Sequence, residues 1–357
     1  MKNGKSRNDG ASGAMIISTL KRAMFSDYYA FIFCIILFAI AMVTVPTITS
    51  AGNQKNILDN IWPLFIVAAG QTFVLITGGI DLSQSASVGF CSVAGAIIMS
   101  NQMNINVFEK SPLWGTLMTE TGGIMANRAG ATLVGILVML AVGAIIGLIN
   151  GVLIAKLKMA PFMVTLIMQM FIEALAIYIT QSNNVMYLPE SFSNIFTKGI
   201  GPVTYAVIMG VVVAAAAHIL LTKTRYGQQL YATGNNARTS AVSGVKTDRV
   251  IIAAYIVSGL CAAIGAVLYS SRMAQGRATM GSDLTMNIVG AAVIGGTSMY
   301  GGRGKVIGTF FGVVFFVLLD KVLNLFNMTY YFIFMIKGLV VLLAAFLDVL
   351  RIKFKEA

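Results

Sequence analysis

The sequence predicts an all-α, polytopic membrane helix bundle with about ten transmembrane segments, some of them short or broken, and with cytoplasmic N- and C-termini. Three observations lead to this prediction: the composition, a series of apolar segments, and the distribution of Lys and Arg. Hydrophobic residues make up 57% of the 357-residue chain and charged residues only 11%, against about 25% charged residues in a typical soluble domain. So few charges cannot cover a water-facing surface, which excludes an ordinary soluble protein.

Ten apolar segments approach the length that a helix needs to cross a bilayer, about 20 residues. They are 29–49, 57–78, 85–101, 129–155, 161–181, 202–222, 249–271, 284–300, 305–326 and 330–350. The third and eighth are short and rich in Gly, Ser and Thr, so half-helices or re-entrant segments are expected there. The transmembrane domain is thus predicted at 29–350, between a cytoplasmic N-terminal segment at 1–28 and a cytoplasmic tail at 351–357.

Lys and Arg are distributed unequally between the two sides of this predicted topology. With the N-terminus inside, seventeen of the 25 fall in inner segments and six in outer ones, while Lys321 and Lys337 fall within spans. The positive-inside rule therefore places both termini in the cytoplasm. The net charge of +12 is spread over the loops, so it indicates membrane topology and no nucleic-acid partner.

The residue types that commonly bind metals lie in unsuitable surroundings. Cys34, Cys91 and Cys261 all lie in apolar segments and are interpreted as small core residues. His218 lies among Ala and Leu, which favours a packing role over a ligand role. No metal and no cofactor is therefore expected.

A glycine-rich stretch, AVIGGTSMYGGRGKVIGT at 292–309, raises the question of a phosphate site. A phosphate-binding loop needs Ser or Thr after its Gly-Lys pair, but Val306 follows Lys305 here, and the βαβ unit of a dinucleotide site is lacking. The stretch instead predicts a tight cytoplasmic hairpin between closely packed spans, because Gly308 and Gly312 recur four residues apart. The structural glycines of this hairpin are Gly295, Gly296, Gly301, Gly302 and Gly304.

Four stretches together resemble the ABC importer permeases for simple sugars, the ribose, xylose and galactose permease family. They occur in the family's order and span most of the chain, from about 30 to 350. They are LITGGIDLS at 75–83, GLINGVLIAKLKMAPFMVTL at 147–166, TRYGQQLYATGNNARTSAVSGV at 224–245, and the glycine-rich stretch at 292–309. The resemblance implies a non-catalytic permease subunit of the bacterial cytoplasmic membrane that works with a separate ABC ATPase, an extracytoplasmic solute-binding protein and a second permease copy.

The resemblance assigns the inner segment at 223–248, called here the coupling segment, to docking of the ATPase. A short helix from Ala237 to Ser243 is expected to lie on the membrane surface, after a turn at Gly234-Asn235-Asn236. The residues expected to matter are Gly234, Asn235, Asn236, Ser243 and Gly244. A plain cytoplasmic loop is the alternative interpretation.

The same resemblance suggests residues along the translocation path. They are Asp81, Phe162, Thr165, Thr285 and Asn287. Each has a structural alternative: Asp81 and Ser83 can cap the third helix, and Phe162 and Thr165 can serve packing alone. Thr285 and Asn287 stand where the family commonly has acidic residues, which bears on the choice of solute.

Charged residues within spans leave a second class of function open. Asp59, Glu173, Asp320, Lys321 and Lys337 lie within or at the ends of predicted spans, and such residues are often functional. An ion-coupled secondary transporter would use the carboxylates, whereas a pairing of Lys337 with Glu173 or Asp320 would be structural. A purely structural membrane protein and an ABC permease for a nucleoside or a signalling sugar also remain open.

Overall fold

The computed structural model describes residues 29–200 and 203–356, and helices dominate this part of the chain. The predicted N-terminal segment at 1–28 lies outside the described residues. The α-helices are α1 (Tyr29–Thr44), α2 (Ala51–Ile76), α3 (Gln84–Met99), α4 (Ile105–Phe108), α5 (Ala131–Ala155), α6 (Pro161–Thr180), α7 (Glu190–Thr197), α8 (Tyr205–Thr222), α9 (Arg225–Asn235), α10 (Ala237–Val242), α11 (Thr247–Met273), α12 (Thr285–Ile294), α13 (Val306–Leu325) and α14 (Tyr330–Glu356). Two antiparallel pairs of two-residue strands complete it: β1 (Met118–Thr119) with β2 (Gly122–Gly123), and β3 (Gly199–Ile200) with β4 (Val203–Thr204).

Each predicted apolar segment contains a helix, so the prediction of an all-α bundle is confirmed. Among the described residues, six helices are long and apolar enough to cross a membrane: α2, α5, α6, α8, α11 and α13. The other four apolar helices, α1, α3, α12 and the first part of α14, are shorter in their apolar extent. The total of ten spans therefore stays a prediction.

Several helices begin or end at residues other than the predicted ones, two of them because of a helix cap or a glycine turn. Helix α2 begins at Ala51, six residues before the predicted start, because the hydroxyl of Ser50 accepts a hydrogen bond from the N–H of Asn53. Helix α12 stops at Ile294 rather than 300, since the chain turns at Gly295 and Gly296. Helix α14 continues to Glu356, past the predicted boundary between span and tail.

The two short helices α3 and α12 follow the same local sequence pattern. Gly79-Ile80-Asp81-Leu82-Ser83 precedes α3, and Gly281-Ser282-Asp283-Leu284-Thr285 leads into α12. Helix α3 packs against α5, α6 and α11, and α12 packs against α13, α14 and α2. These neighbourhoods correspond when α2 is matched with α11, α5 with α13 and α6 with α14. The bundle thus contains two similar units. Each unit has one helix of about 24 Å or less, which is shorter than the hydrocarbon core of a bilayer, about 30 Å.

Helices α2 and α11 form the centre of the bundle. In the most apolar part of each helix, 78% of α2 and 61% of α11 are buried, against 22% of α6 and α8. Glycines let α5 approach α11 at backbone distance, since a Cβ on Gly143 or Gly147 would collide with the carbonyl oxygen of Gly259 or Tyr255. Small residues allow this close packing where lipid offers no hydrophobic driving force between helices.

Contacts between loops sort them into two groups, one at each end of the bundle. At one end, Lys158 pairs with Asp248 at 2.6 Å, and the N–H of Gly302 donates to the carbonyl of Ile76 at 2.9 Å. At the other end, the N–H of Asn101 donates to the carbonyl of Tyr187 at 2.9 Å, and Val185 pairs with Gly276. The first group, called here the basic end, holds the coupling segment and the glycine-rich hairpin.

Substitution of Gly147 by Ala tests the close packing of α5 on α11. We expect a loss of about 1–3 kcal/mol in unfolding free energy, because the added methyl group meets the backbone of Tyr255. Gly338→Ala is the matched control, since a Cβ at Gly338 in α14 has no atom within 4 Å and Ala favours a helix by up to about 1 kcal/mol over Gly. Chemical unfolding of both purified variants in detergent measures the difference, and equal stability would contradict this packing.

Candidate functional site

The coupling segment folds into two helices joined at Asn236. Helix α9 begins after Thr224, whose hydroxyl accepts from the N–H of Gly227 at 3.2 Å. Helix α10 begins after Asn236, whose side chain accepts from the N–H of Thr239 at 3.0 Å. Asn236 therefore caps a short helix where the sequence predicts one. Gly234 and Asn235, in contrast, belong to the last turn of α9, so the turn predicted at these two residues is wrong.

Gly234 brings α9 against the end of α2 and against the glycine-rich hairpin. A Cβ at Gly234 would collide with the carbonyl oxygen of Ile76 and would lie 2.6 Å from the nitrogen of Gly302. The hydroxyl of Tyr231, also on α9, donates to the carbonyl of Gly304 at 2.7 Å. Burial raises the pKa of the Tyr231 phenol above its usual value, so the hydroxyl keeps its proton for this bond. The coupling segment is thereby joined to the ends of two central elements.

The glycine-rich hairpin depends on backbone conformations that favour glycine. Gly296, Gly301 and Gly302 have φ values of 88°, 88° and 71°, in the left-handed region that other residues adopt at a cost. Beyond the turn, a Cβ on Gly308 would collide with the carbonyl oxygen of Gly295. The stretch thus forms a tight connection between α12 and α13, and its glycines serve backbone geometry.

The outer face of the coupling segment is exposed and carries one unusual apolar residue. Val242, in the last turn of α10, is 90% exposed. Gly244 follows with φ +86° and has open space around its α-carbon, and Ser243 is exposed beside it. Sequence reasoning missed Val242, although an apolar residue at the end of a short surface helix is a recognisable sign of a docking point. Small side chains around one apolar contact suit close approach of another protein.

Asp81 lies in a closed hydrogen-bonded group in the bundle interior, and only 3% of it is exposed. Its Oδ1 accepts from the N–H of Ser83 at 3.0 Å and from the hydroxyl of Ser83 at 2.6 Å. Its Oδ2 accepts from the hydroxyl of Ser258 on α11 at 2.6 Å. The amide of Asn150 on α5 donates to Ser83 at 2.8 Å. We call Asp81, Ser83, Asn150 and Ser258 the Asp81 cluster.

The Asp81 cluster connects the turn before α3 to the surrounding helices. The amide of Gln71 on α2, oriented to satisfy its partners, donates to the carbonyl of Asp81 and accepts from its N–H. Asp81 therefore bonds mainly to neighbouring elements, and the hydroxyl of Ser83 makes no helix-capping bond. The interpretation as a helix cap is therefore wrong for Ser83, whose hydroxyl donates to the carboxylate, whereas the side chain of Asp81 does accept a backbone N–H at the start of the helix.

The remaining predicted path residues fall in different places. Thr165 on α6 is fully buried and donates to the carbonyl of Ile80 at 3.2 Å, next to the Asp81 cluster. Phe162, one turn earlier on α6, is 53% exposed on the outside of the bundle. Thr285 and Asn287 lie on α12, away from both. The structure thus brings Asp81 and Thr165 together, whereas Phe162, Thr285 and Asn287 lie elsewhere in the bundle.

Asn287 lines a polar cavity of about 610 Å³ between α2, α12, α13 and α14. Within it, Lys337 and Asp320 form an ion pair at 2.6 Å, as one of the two pairings considered from sequence predicts. The amide nitrogen of Asn287 donates to the other oxygen of Asp320 at 3.3 Å. At the mouth, the hydroxyl of Tyr330 donates to Asp283 at 2.7 Å. Sequence reasoning missed Asp283 and Tyr330; the recurring Asp-Leu pair before the short helix is the signal that marks Asp283.

Comparison with known proteins places this architecture in a family. Residues 53–345 match the family described as branched-chain amino acid transport system / permease component. The chain belongs to this permease family. Because the described part of the permease also carries six helices able to cross a bilayer, it is a multi-pass membrane protein.

Individual relatives cover almost the whole permease. The galactose/methyl galactoside import permease protein MglC of Haemophilus influenzae is 31% identical over 324 residues, 89% of this chain and 92% of the relative. The ribose import permease protein RbsC of Escherichia coli K12 is 28% identical over 335 residues, 92% of this chain and 95% of the relative. RbsC of Bacillus subtilis is 31% identical over 318 residues, which are 88% of this chain and 89% of the relative. No solved structure matches the chain significantly.

Substitution of Asp81 by Leu tests the Asp81 cluster. The change strands the donors of Ser83 and Ser258 in the interior, so we expect a loss of roughly 3 kcal/mol or more in unfolding free energy. Asp81→Asn keeps one acceptor and is expected to cost less. Asp248→Leu is the control, because its ion pair with Lys158 lies at the surface and is worth less than about 1 kcal/mol. Equal losses for Asp81→Leu and Asp248→Leu in detergent unfolding would refute the role of the cluster.

Proposed function

We propose that the chain is the membrane-spanning subunit of an ATP-driven ABC importer that carries a simple sugar across the bacterial cytoplasmic membrane. The relatives named for ribose and for galactose/methyl galactoside import, which align with about nine tenths of the chain, support this assignment most directly. The family description names amino acids, but these near full-length relatives favour a sugar as the substrate.

The structure of the buried carboxylates supports this function over an ion-coupled secondary transporter. Asp81 already accepts three hydrogen bonds from Ser83 and Ser258, and Asp320 is paired with Lys337. A carboxylate that carries protons or sodium must exchange them with water, whereas Asp81 is occupied by hydrogen bonds and Asp320 by an ion pair within the chain. The energy for transport would then come from ATP hydrolysis on a separate subunit.

Three partners belong to this proposal. The ATPase docks on the exposed face of the coupling segment, around Val242, Ser243 and Gly244. An extracytoplasmic binding protein delivers the sugar at the opposite end of the bundle. A second permease copy, of the same or a related chain, lies beside the first in the membrane.

Orientation is testable with cysteines at the two ends of the bundle. The native Cys34, Cys91 and Cys261 are buried, so the unmodified chain supplies the background. In intact cells, a membrane-impermeant thiol reagent is expected to label Gly115→Cys, and to label Thr239→Cys only after permeabilisation. Both positions are exposed. Labelling of both from the same side would show that the predicted topology is wrong.

Docking of the ATPase is testable by adding bulk at Gly244. Gly244→Trp is expected to abolish sugar uptake and co-purification of the ATPase, because the large ring separates two closely apposed surfaces. Gly115→Trp is the matched control, since Gly115 has a similar φ of +80° and equally open surroundings but lies at the other end. Both variants are expected to insert and fold. Normal uptake and ATPase retention in Gly244→Trp would place the docking surface elsewhere.

A further inference from the structure

The polar cavity has the size of a small-molecule site and lies within a single chain. Its volume of about 610 Å³ falls in the range of roughly 300–1,000 Å³ that is typical of ligand pockets. It opens at the end of the bundle opposite the coupling segment, near the start of α2 and α14. Under the proposed topology that end faces the outside of the cell.

The charges that line the cavity cancel. Asp283 and Asp320 contribute two negative charges, and Lys321 and Lys337 contribute two positive charges. Asp320 and Lys337 are also in direct contact at 2.6 Å, so their charges are compensated within the protein. The lining as a whole therefore carries no net charge, which favours a ligand without net charge.

The polar groups of the cavity suit hydroxyl groups. Four amide side chains line it, and each amide offers both donors and acceptors. They are Asn56, Asn60, Asn287 and Asn324. Asn287 is 95% buried, and its Oδ1 has no hydrogen-bond partner among the described residues. This oxygen has less than 1 Å² of accessible surface, so a ligand would meet other atoms of the amide lining.

Aromatic side chains complete the lining with apolar faces. Tyr269, Tyr330 and Phe334 contribute to the walls. Sugar rings combine polar edges with patches of C–H groups, so a wall of amides and aromatic rings matches both parts of their surface. The bond from Asn287 to Asp320, which is itself paired with Lys337, holds the Asn287 amide in position.

We propose that the polar cavity of each chain binds one neutral monosaccharide through the amide side chains that line it. This inference rests on the proposed function, since it specifies where a sugar-importing permease contacts its substrate. The site lies within one chain and is separate from the Asp81 cluster, which is closed by its own hydrogen bonds.

Protection of an introduced thiol tests the site without depending on topology or transport. Asn324→Cys places a thiol on the exposed part of the lining. In the purified full-length chain in detergent, neutral pentoses or hexoses at high millimolar concentration are expected to slow its reaction with a thiol reagent several-fold. Galacturonate, a charged sugar of similar size, is expected to protect less than galactose. Tyr331→Cys is the control, because Tyr331 is 77% exposed and lies outside the lining.

A second variant tests the role of Asn287 itself. Asn287→Leu removes one lining amide and its bond to Asp320, so it is expected to weaken the protection of Asn324→Cys and to raise the KM of uptake several-fold in the assembled importer. Asn194→Leu makes the same chemical change on α7, outside the cavity, and is expected to alter neither. Unfolding in detergent identifies a variant that is merely misfolded, and in that case Asn60→Leu, at another lining amide, takes its place.

The outcomes separate this inference from the proposed function. ATP-driven sugar uptake without protection by any neutral pentose or hexose overturns the cavity site and leaves the proposed function intact. Protection in a complex that shows no ATP-driven sugar uptake supports the site and overturns the import function. Stronger protection by galacturonate than by galactose overturns the choice of a neutral ligand.

Discussion

The buried carboxylate of Asp81 is the constraint on which the arrangement of the central helices depends. A carboxyl group at 3% exposure inside a membrane protein needs dedicated hydrogen-bond partners. Those partners come from the following turn, through Ser83, and from α11, through Ser258. Asn150 on α5 supports Ser83 in turn. The carboxylate of Asp81 therefore joins α11 and, through Ser83, α5 at the start of the short helix α3, while Gln71 on α2 bonds the backbone of Asp81.

The turn that carries Asp81 is also connected to the surface at the basic end. It begins directly after Ile76, whose carbonyl accepts the N–H of Gly302 and lies against Gly234 of α9. The hairpin is further tied to α9 through Tyr231 and Gly304. Displacement of α9 must therefore disturb the end of α2 or break these contacts. This connection gives the proposed docking surface a short physical route to the interior of the bundle, which the proposed coupling of ATP hydrolysis to transport would require.

Sequence reasoning succeeded where a local pattern determines structure and failed where distant residues decide. The lengths of the apolar segments located each apolar helix, and the capping preference of Asn located the start of α10. The position of Gly234 inside α9 was missed, because glycine usually marks a turn and here serves a close contact with Ile76. The partners of Asp81 and the lining of the cavity come from separate parts of the chain, so no single stretch reveals them.

The two Asp-Leu pairs show how one local pattern can serve two chemical roles in this fold. Both precede a short helix, and both leave a carboxylate where a full span would place apolar side chains. Asp81 is enclosed by central helices and fully hydrogen-bonded, whereas Asp283 is exposed and meets Tyr330 at the cavity mouth. The difference arises from their neighbours: α3 lies against glycine-rich α5 and α11, which close around it, while α12 lies beside α14 with an open space between. In one unit the pattern stabilises the bundle, and in the other it leaves polar groups accessible to a solute.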